Sequence, residues 1–324
     1  MFGGHLPAPM LPTLALAPFD SDEWFFELKW DGVRAICLVT RSGVTAVSRT
    51  GKDLMRQFPE LLDLRRSFKR LPVVVDGEIV SLDRHGRSSF QRLQPRINRT
   101  RTTGDEPDVR VSFAVFDLLG QGSVDLRDRP LEERKARLDA SVVPGGFVLL
   151  SKHVAAAGKR LFAQAGKLGV EGIVAKRRDS AYRSSRSRDW LKIKTVLRQE
   201  FVVVGWTEPR GSRNHIGALL LGLYRKSELT YAGHVGTGFD ESTLRELYRR
   251  LAPLEVKRSA LAAAPKTNSP AHWVRPRLVA EIKFGEWTRD GILRQPVYVG
   301  LRIDKRPEDC VREEPSPSRG GSRS

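Results

Sequence analysis

The alternation of apolar and polar residues divides the chain into two textures, strands interleaved with helices and then short strands in close succession. Trp24-Phe25-Phe26 leads into Glu27-Leu28-Lys29-Trp30, and Ala35-Ile36-Cys37-Leu38-Val39 follows, which predicts strands at about 24–30 and 34–40 joined by a tight turn at Gly32. Another strand, at 44–49, lies beyond the hairpin-like turn Arg41-Ser42-Gly43. Phe58 to Leu71 carries Leu61, Leu64 and Phe68 at helical spacing, and Pro72 ends it. Val73-Val74-Val75 opens a buried strand that runs to Leu82, and Val111 to Leu119 reads as a further core strand. Pro130 in a first helical turn precedes a helix over Leu131 to Leu138; a helix at 158–168 sits between strands at 147–153 and 171–177. Residues 1–23 read as an extended arm wrapping this first domain.

After Glu200 the texture changes. Phe201-Val202-Val203-Val204 begins a series of short strands with turns expected at Gly211, Gly222, Gly233 and Gly236, one helix at 240–252, and strands at 279–284 and 297–303. Such a set suits a small OB-like barrel. The domains expected are therefore 1–197 and 198–310, with a disordered tail at 311–324 that holds Pro315, Pro317 and Arg319-Gly320-Gly321.

Charge changes the picture most. The 324 residues hold 56 Lys+Arg against 38 Asp+Glu, a formal net charge of +18. A polyanion is the natural partner, and nucleic acid fits better than membrane because no long apolar run or basic amphipathic anchor appears; an Arg-rich composition without a partner is the plainer alternative. Four arginines and no acid between 92 and 101, and the basic stretch from Tyr182 to Arg198, mark candidate phosphate-facing surfaces. Cys37, Cys310 and six scattered histidines supply neither a zinc cluster nor a disulfide framework. Met1 to Asp20 has four prolines and no Lys or Arg, which is neither signal peptide nor membrane span, so a cytoplasmic protein is expected.

On period two, Glu27, Lys29 and Asp31 share one strand face. A lysine there becomes a nucleophile once its amine is deprotonated; the alternative is a surface hairpin with a charged rim. Asp76 and Glu78 share a face at the rim of a core strand, or form a simple turn. Glu171 and Lys176 fall on opposite faces by parity, so only one of them is expected to reach a shared site. Lys192 and Lys194 lie on one face over Leu191 and Ile193, fixed positive charge of the kind phosphoryl or nucleotidyl transfer needs, or else a protected edge strand. Phe116 reads first as core and second as a base-stacking ring. No Walker loop, Rossmann glycine set or serine elbow competes.

Together these segments resemble the ATP-dependent DNA ligases of the nucleotidyltransferase superfamily, in particular the ligase module of bacterial ligase D in non-homologous end joining. Lys29-Trp30-Asp31-Gly32-Val33-Arg34 is similar to the family's first motif, whose lysine becomes adenylylated, with Arg34 counted among the cofactor-binding positions. The resemblance assigns Glu27 to the adenine amino group, Arg49 of Ser48-Arg49-Thr50-Gly51 to nucleotide and 5′-phosphate, and Glu78 to the ribose and, with Glu171, to a metal. It assigns Phe116 to stacking on adenine, Lys192 and Lys194 to the α-phosphate, and Arg302 and Lys305 of Leu301 to Lys305 to the β and γ phosphates. The match spans about residues 10–308, in order.

The fold it implies is α+β: a nucleotidyltransferase (ATP-grasp-like adenylation) domain with antiparallel sheets, then a β-barrel OB-fold domain, a minimal two-domain core. ATP and Mg2+ (or Mn2+) are the implied cofactors. The implied partners are double-stranded DNA with nicks or ends and a Ku-like end-binding protein, for a nucleoid-associated monomer without a membrane. Neighbouring Lys192 and Lys194 are expected to favour a neutral Lys29, since like charge lowers a lysine's pKa. Two other readings stay open: an RNA ligase or capping-type nucleotidyltransferase, and a non-catalytic nucleic-acid binder.

Overall fold

The computed structural model describes residues 6–97, 109–143, 145–210 and 214–314. The chain forms two compact units, the first built on Met1–Thr195 and the second on Val196–Glu313. The loop expected at 101–108, the turn at Gly211 and the tail from 315 lie outside the described residues, as do Arg99 and Arg101.

Two sheets make the first unit. One holds β1 (Leu11–Leu14), β2 (Trp24–Leu28), β9 (His153–Ala155), β10 (Gly172–Arg177) and β11 (Arg186–Lys194), in the order β1-β11-β10-β2-β9. The other holds β3 (Val33–Val39), β4 (Val44–Ser48), β5 (Val73–Val80), β6 (Ser112–Gln121), β7 (Val124–Asp125) and β8 (Val148–Leu150), in the order β4-β3-β5-β6-β7 with β8 on β6. Pairing is antiparallel except for β1 with β11 and β6 with β8. The extended arm thus contributes a strand. Helices α1 (Phe90–Ile97), α2 (Leu131–Ser141) and α3 (Gly158–Lys167) complete the unit. Phe26, Ala165, Ile173, Ala175 and Ile193 form one core under the first sheet, while Met10, Ile36, Val74, Phe116, Leu119, Tyr182 and Trp190 form another.

The strands around Gly32 are not a hairpin. β2 and β3 belong to different sheets, so Lys29 to Gly32 is the segment where the chain crosses from one to the other. Gly32 serves that crossing by close approach: a Cβ there would lie 2.1 Å from the Ile79 carbonyl oxygen. The helix expected over 58–71 is a 3₁₀ helix at Pro59–Arg66. Phe58, Leu61 and Leu64, all buried, recur every third residue, which suits three residues per turn better than 3.6. Arg96 turns inward to pair with Glu60 at 2.5 Å, so of the described arginines in the 92–101 run only Arg92 remains for a phosphate surface.

Unit two is antiparallel. Strands β12 (Arg198–Thr207), β13 (Leu219–Arg225), β14 (Glu228–Val235), β15 (Glu255–Val256) and β16 (Ala271–Lys283) run in the order β14-β13-β12-β16-β15. A two-stranded ribbon pairs β17 (Glu286–Trp287) with β18 (Leu293–Arg294), and β19 (Val297–Arg302) pairs with β16. Helix α4 (Glu241–Leu251) is capped by the Asp240 carboxylate, which accepts from the Thr243 N–H. Strands run through Gly222 and Gly233, where turns were expected, and the β13–β14 hairpin turns instead at Lys226, whose φ is +58°. Between Leu221 and Gly222 the register shifts and leaves Ala232 of β14 unopposed beside Gly233 (φ +130°), so the bulge lies on β14. Beyond β19, Pro307–Asp309 form a 3₁₀ turn and Val311 bridges to Tyr224. Among the described residues no helix is long and apolar enough to cross a membrane.

Helix α2 is tied to β6 by a fully buried pair. Arg134 donates to both carboxylate oxygens of Asp117 at 2.8 Å, and to the carbonyls of Arg129 and Ser180 at 2.6 and 2.8 Å. Removing one partner strands the other charge in the core. Asp117→Ala should therefore cost the first unit about 3–5 kcal/mol in urea unfolding; a loss under about 1 kcal/mol would mean the pair is not what anchors α2.

Candidate active site

The site is built where β2 leaves its sheet. Lys29 continues the ladder with β10 by donating its N–H to the Gly172 carbonyl at 2.9 Å. Its Nζ reaches Glu171 Oε2 at 2.5 Å. Glu171 precedes β10, and Gly172 (φ +152°) lies so close to Ile193 that a Cβ would fall 2.1 Å from its carbonyl oxygen. That backbone breaks the strand parity on which Glu171 and Lys176 were assigned to opposite faces. Both reach the β2 side, Glu171 meeting Lys29 and Lys176 meeting Glu27.

Burial alone would push the Lys29 ammonium down. The Glu171 carboxylate, with Asp31 and Glu78 contributing, outweighs burial and holds Lys29 above its ordinary value. The expectation that Lys192 and Lys194 leave Lys29 neutral is therefore corrected: its counter-ion dominates.

Two positions earlier, Glu27 is buried under a second cluster. Lys135 Nζ and Lys176 Nζ lie 2.8 and 3.1 Å from Glu27 Oε1. Oε2 accepts from the Ser151 hydroxyl at 2.9 Å, and Ser151 Oγ accepts from the Trp30 indole N–H at 3.0 Å. Burial works against a charged Glu27, but the two lysines keep its carboxyl below the ordinary value. Burial, aided by repulsion from Lys135, pushes Lys176 down to about 8 despite Glu27.

Lys176 also caps the Phe116 ring, its Nζ 4.2 Å from that centroid and from the centroid of Trp190. Phe116 is buried, and the Arg34 guanidinium lies 4.7 Å from its centroid. Arg34 is itself engaged, donating to both oxygens of Asp76 at 2.7 and 2.6 Å and to the Met10 carbonyl. The Tyr182 hydroxyl completes that network by donating to Asp76 at 2.6 Å and accepting from the Met10 N–H. Arg34 and Phe116 therefore connect to the Glu27 cluster through Lys176, and Arg34 acts as a clamp on Asp76.

Register places the remaining candidates. Glu27, Val174 and Lys192 line up across β2, β10 and β11, and Lys194 pairs with Gly172. Glu78 lies opposite Arg34 on β5. Arg49, half-buried, sits on the turn after β4. Arg302 and Lys305 are in the second unit: Arg302 pairs with Asp304 and Glu281, each at 2.8 Å, and Lys305 with Glu200 at 2.7 Å.

Sequence reading missed Lys135, Ser151 and Tyr182, and gave Lys176 no role. A signal for Lys135 existed. Leu131, Arg134, Lys135 and Leu138 follow the i, i+3, i+4, i+7 stripe of a core-facing helix, so two charges were bound for the interior.

Among the described residues no three candidate ligands cluster into a closed metal site. Magnesium needs less, since it keeps waters and is held through one or two carboxylates plus phosphate oxygens. Glu171 and Glu78, both acting on Lys29, fit that donor set.

Comparison with known proteins gives this geometry a family. Residues 9–194 match the family model of the ATP dependent DNA ligase domain, and residues 212–305 match its C terminal region. The chain belongs to the ATP-dependent DNA ligases. Its fold is accordingly a nucleotidyltransferase domain followed by an OB-fold domain. It is 42% identical over 332 residues to the multifunctional non-homologous end joining protein LigD of Pseudomonas aeruginosa, matching 97% of this chain and 38% of that protein. It is 30% identical over 335 residues to DNA ligase C of Mycobacterium tuberculosis, matching 94% of this chain and 92% of that one. Among solved structures it is similar to mycobacterial DNA ligase D complexed with ATP and MES, with TM-score 0.68 and 35% identity over 95% of this chain and 98% of that chain. The chain spans about two fifths of the LigD relatives it matches.

If Glu171 sets the protonation of Lys29, Glu171→Gln leaves burial to push the amine down. At pH 8 an amine-reactive reagent should then modify Lys29 faster, by about tenfold for each unit the pKa falls. Mass spectrometry of the modified peptide reads this out, and an unchanged rate would mean another group holds the proton.

Proposed function

We propose that the chain seals breaks in double-stranded DNA with ATP, through a lysyl-adenylate on Lys29 and an adenylylated 5′-phosphate, in repair by end joining. The observation that carries the reading is a lysine held just past β2 by its backbone hydrogen bond to Gly172, with a carboxylate in contact, in a chain of the ATP-dependent DNA ligase family. Nζ must lose a proton before it can attack, and Glu171 is within reach to accept it. Lys29 then attacks the α-phosphorus; the N–P bond forms as the bond to pyrophosphate breaks. A DNA 5′-phosphate oxygen displaces Lys29 from the adenylate, and the 3′-hydroxyl finally displaces AMP and closes the backbone.

In this reading Glu27 receives the adenine amino group, Phe116 lies against the base, Glu78 holds the ribose, and Arg49 serves nucleotide and 5′-phosphate. Lys192 and Lys194 balance charge at the α-phosphate, where negative charge builds up. Magnesium (or manganese), held through Glu171 and Glu78, would neutralise phosphate charge. Arg302 and Lys305 serve the leaving pyrophosphate. The enzyme works as a cytoplasmic, nucleoid-associated monomer, and a Ku-like protein recruits it to ends. The end-joining assignment draws on the LigD relatives.

Incubation with α-labelled ATP and magnesium should label the chain, and Lys29→Ala should abolish the label; persistent labelling would move the nucleophile elsewhere. Lys305→Ala should slow self-adenylylation by about tenfold or more yet barely affect sealing of a nick that is already adenylylated. Equal loss in both steps would refute a role confined to the triphosphate. With +18 of net charge, DNA affinity should fall with salt at about −0.9 in log–log slope per phosphate contacted, and sealing should fall with it while self-adenylylation changes little. A sealing curve flat in salt would contradict the electrostatic account.

A further inference from the structure

Near Lys29 lies a buried charge cluster whose two lysines, Lys135 and Lys176, have no part in the three transfer steps. Glu27 and the ammonium groups of Lys135 and Lys176 are all under one-tenth exposed, so two cations surround one carboxylate in the interior. Burying an extra charge is costly unless something else is gained. The hydrogen-bond geometry shows what is gained. Glu27 Oε2 is occupied by the Ser151 hydroxyl. Oε1 is ion-paired with both lysines, at 2.8 and 3.1 Å. Lys135 also aims an N–H at the Ser151 carbonyl, 3.4 Å away. The lysines therefore hold the carboxylate charged and fixed in place. An ionised carboxylate oxygen only accepts hydrogen bonds. It welcomes an N–H group and repels a carbonyl.

We propose that Lys135 is a positioning residue for base selection: together with Lys176 it keeps Glu27 ionised and fixed, so that its carboxylate favours an exocyclic amine on the base. This rests on the reading of Lys29 as the residue that takes up the nucleotide. Lys135 comes from α2 and Lys176 from β10, so the carboxylate on β2 is held from two separate elements. The groups facing Lys176 are Glu27, Lys135 and Asp117, with His153 close enough to feel both lysines. Asp117 is already paired with Arg134, which leaves Glu27 as the main counter-ion of Lys176.

The test measures self-adenylylation of the full chain with ATP, with GTP and with the purine riboside triphosphate that lacks the amino group. Wild type should prefer ATP over the amine-free analogue by about 10- to 100-fold in kcat/KM, the range expected for a hydrogen bond to a charged group. Lys135→Gln should cut that preference to about threefold or less, chiefly through KM, and Lys135→Arg should restore it. In wild type the KM for ATP should rise as the pH passes about 8, where Lys176 loses its proton. In Lys135→Gln this break should move to higher pH, because the repulsion that lowers the Lys176 pKa is gone. A purely structural role would not shift it.

A Lys135→Gln protein that keeps both the full preference and the wild-type pH break overturns the proposal. So does one that loses ATP and analogue equally. The wild-type comparison needs no variant to fold, and an analogue used as well as ATP also overturns it. No label from ATP in wild type would overturn the functional reading itself, a result distinct from all of these.

Discussion

Burying charge is the constraint on which the first unit depends. An ion removed from water must find a partner or lose its charge. Lys29 with Glu171, Arg34 with Asp76, Arg134 with Asp117 and Glu27 with two lysines each meet that demand by joining separate elements. The pairs reach from β2 to the segment before β10, from β3 to β5, from α2 to β6, and from β2 to α2 and β10. A slip of one strand would part several pairs at once. Rigidity and chemistry thus share a cause, and the residues that orient the site are also those the fold cannot lose cheaply.

Much of the architecture was legible in the chain. Period-two alternation located β2, β3 and β5 to within a residue or two, and the changed texture after Glu200 marked the second unit. What alternation cannot reveal is the partner of each strand. Residues 24–39 read locally as a hairpin, but a strand's neighbour depends on contacts far apart in sequence, and β2 pairs with β9 and β10, more than a hundred residues away. Pro59 and a period of three concealed a 3₁₀ helix that helical bookkeeping counts as α.

The site was legible one residue at a time and less so as an assembly. Lys29, Glu27 and Glu171 stand out by type and position. Their arrangement does not, because one glycine backbone at 172 decides which way Glu171 points, and parity assumes a regular strand. Arg302 illustrates the same limit in the second unit. Sequence identifies a motif arginine, but only the fold shows that its guanidinium is already held by Asp304 and Glu281. Any phosphate it serves must compete with two carboxylates.

The backbone between Glu27 and Lys29 has a metrical consequence. Glu27 lies in β2 and Lys29 continues its ladder, and two residues of extended backbone advance about 6.8 Å. Trp30 and Ser151 brace this interval, since one hydroxyl is bonded to both the indole after Lys29 and the carboxylate of Glu27. The protein thereby owns a ruler. On the proposed roles, one end reads what a ligand is and the other where it reacts, with no flexible loop in between to blur the measurement. A molecule of the wrong length fails at one end even if it satisfies the other.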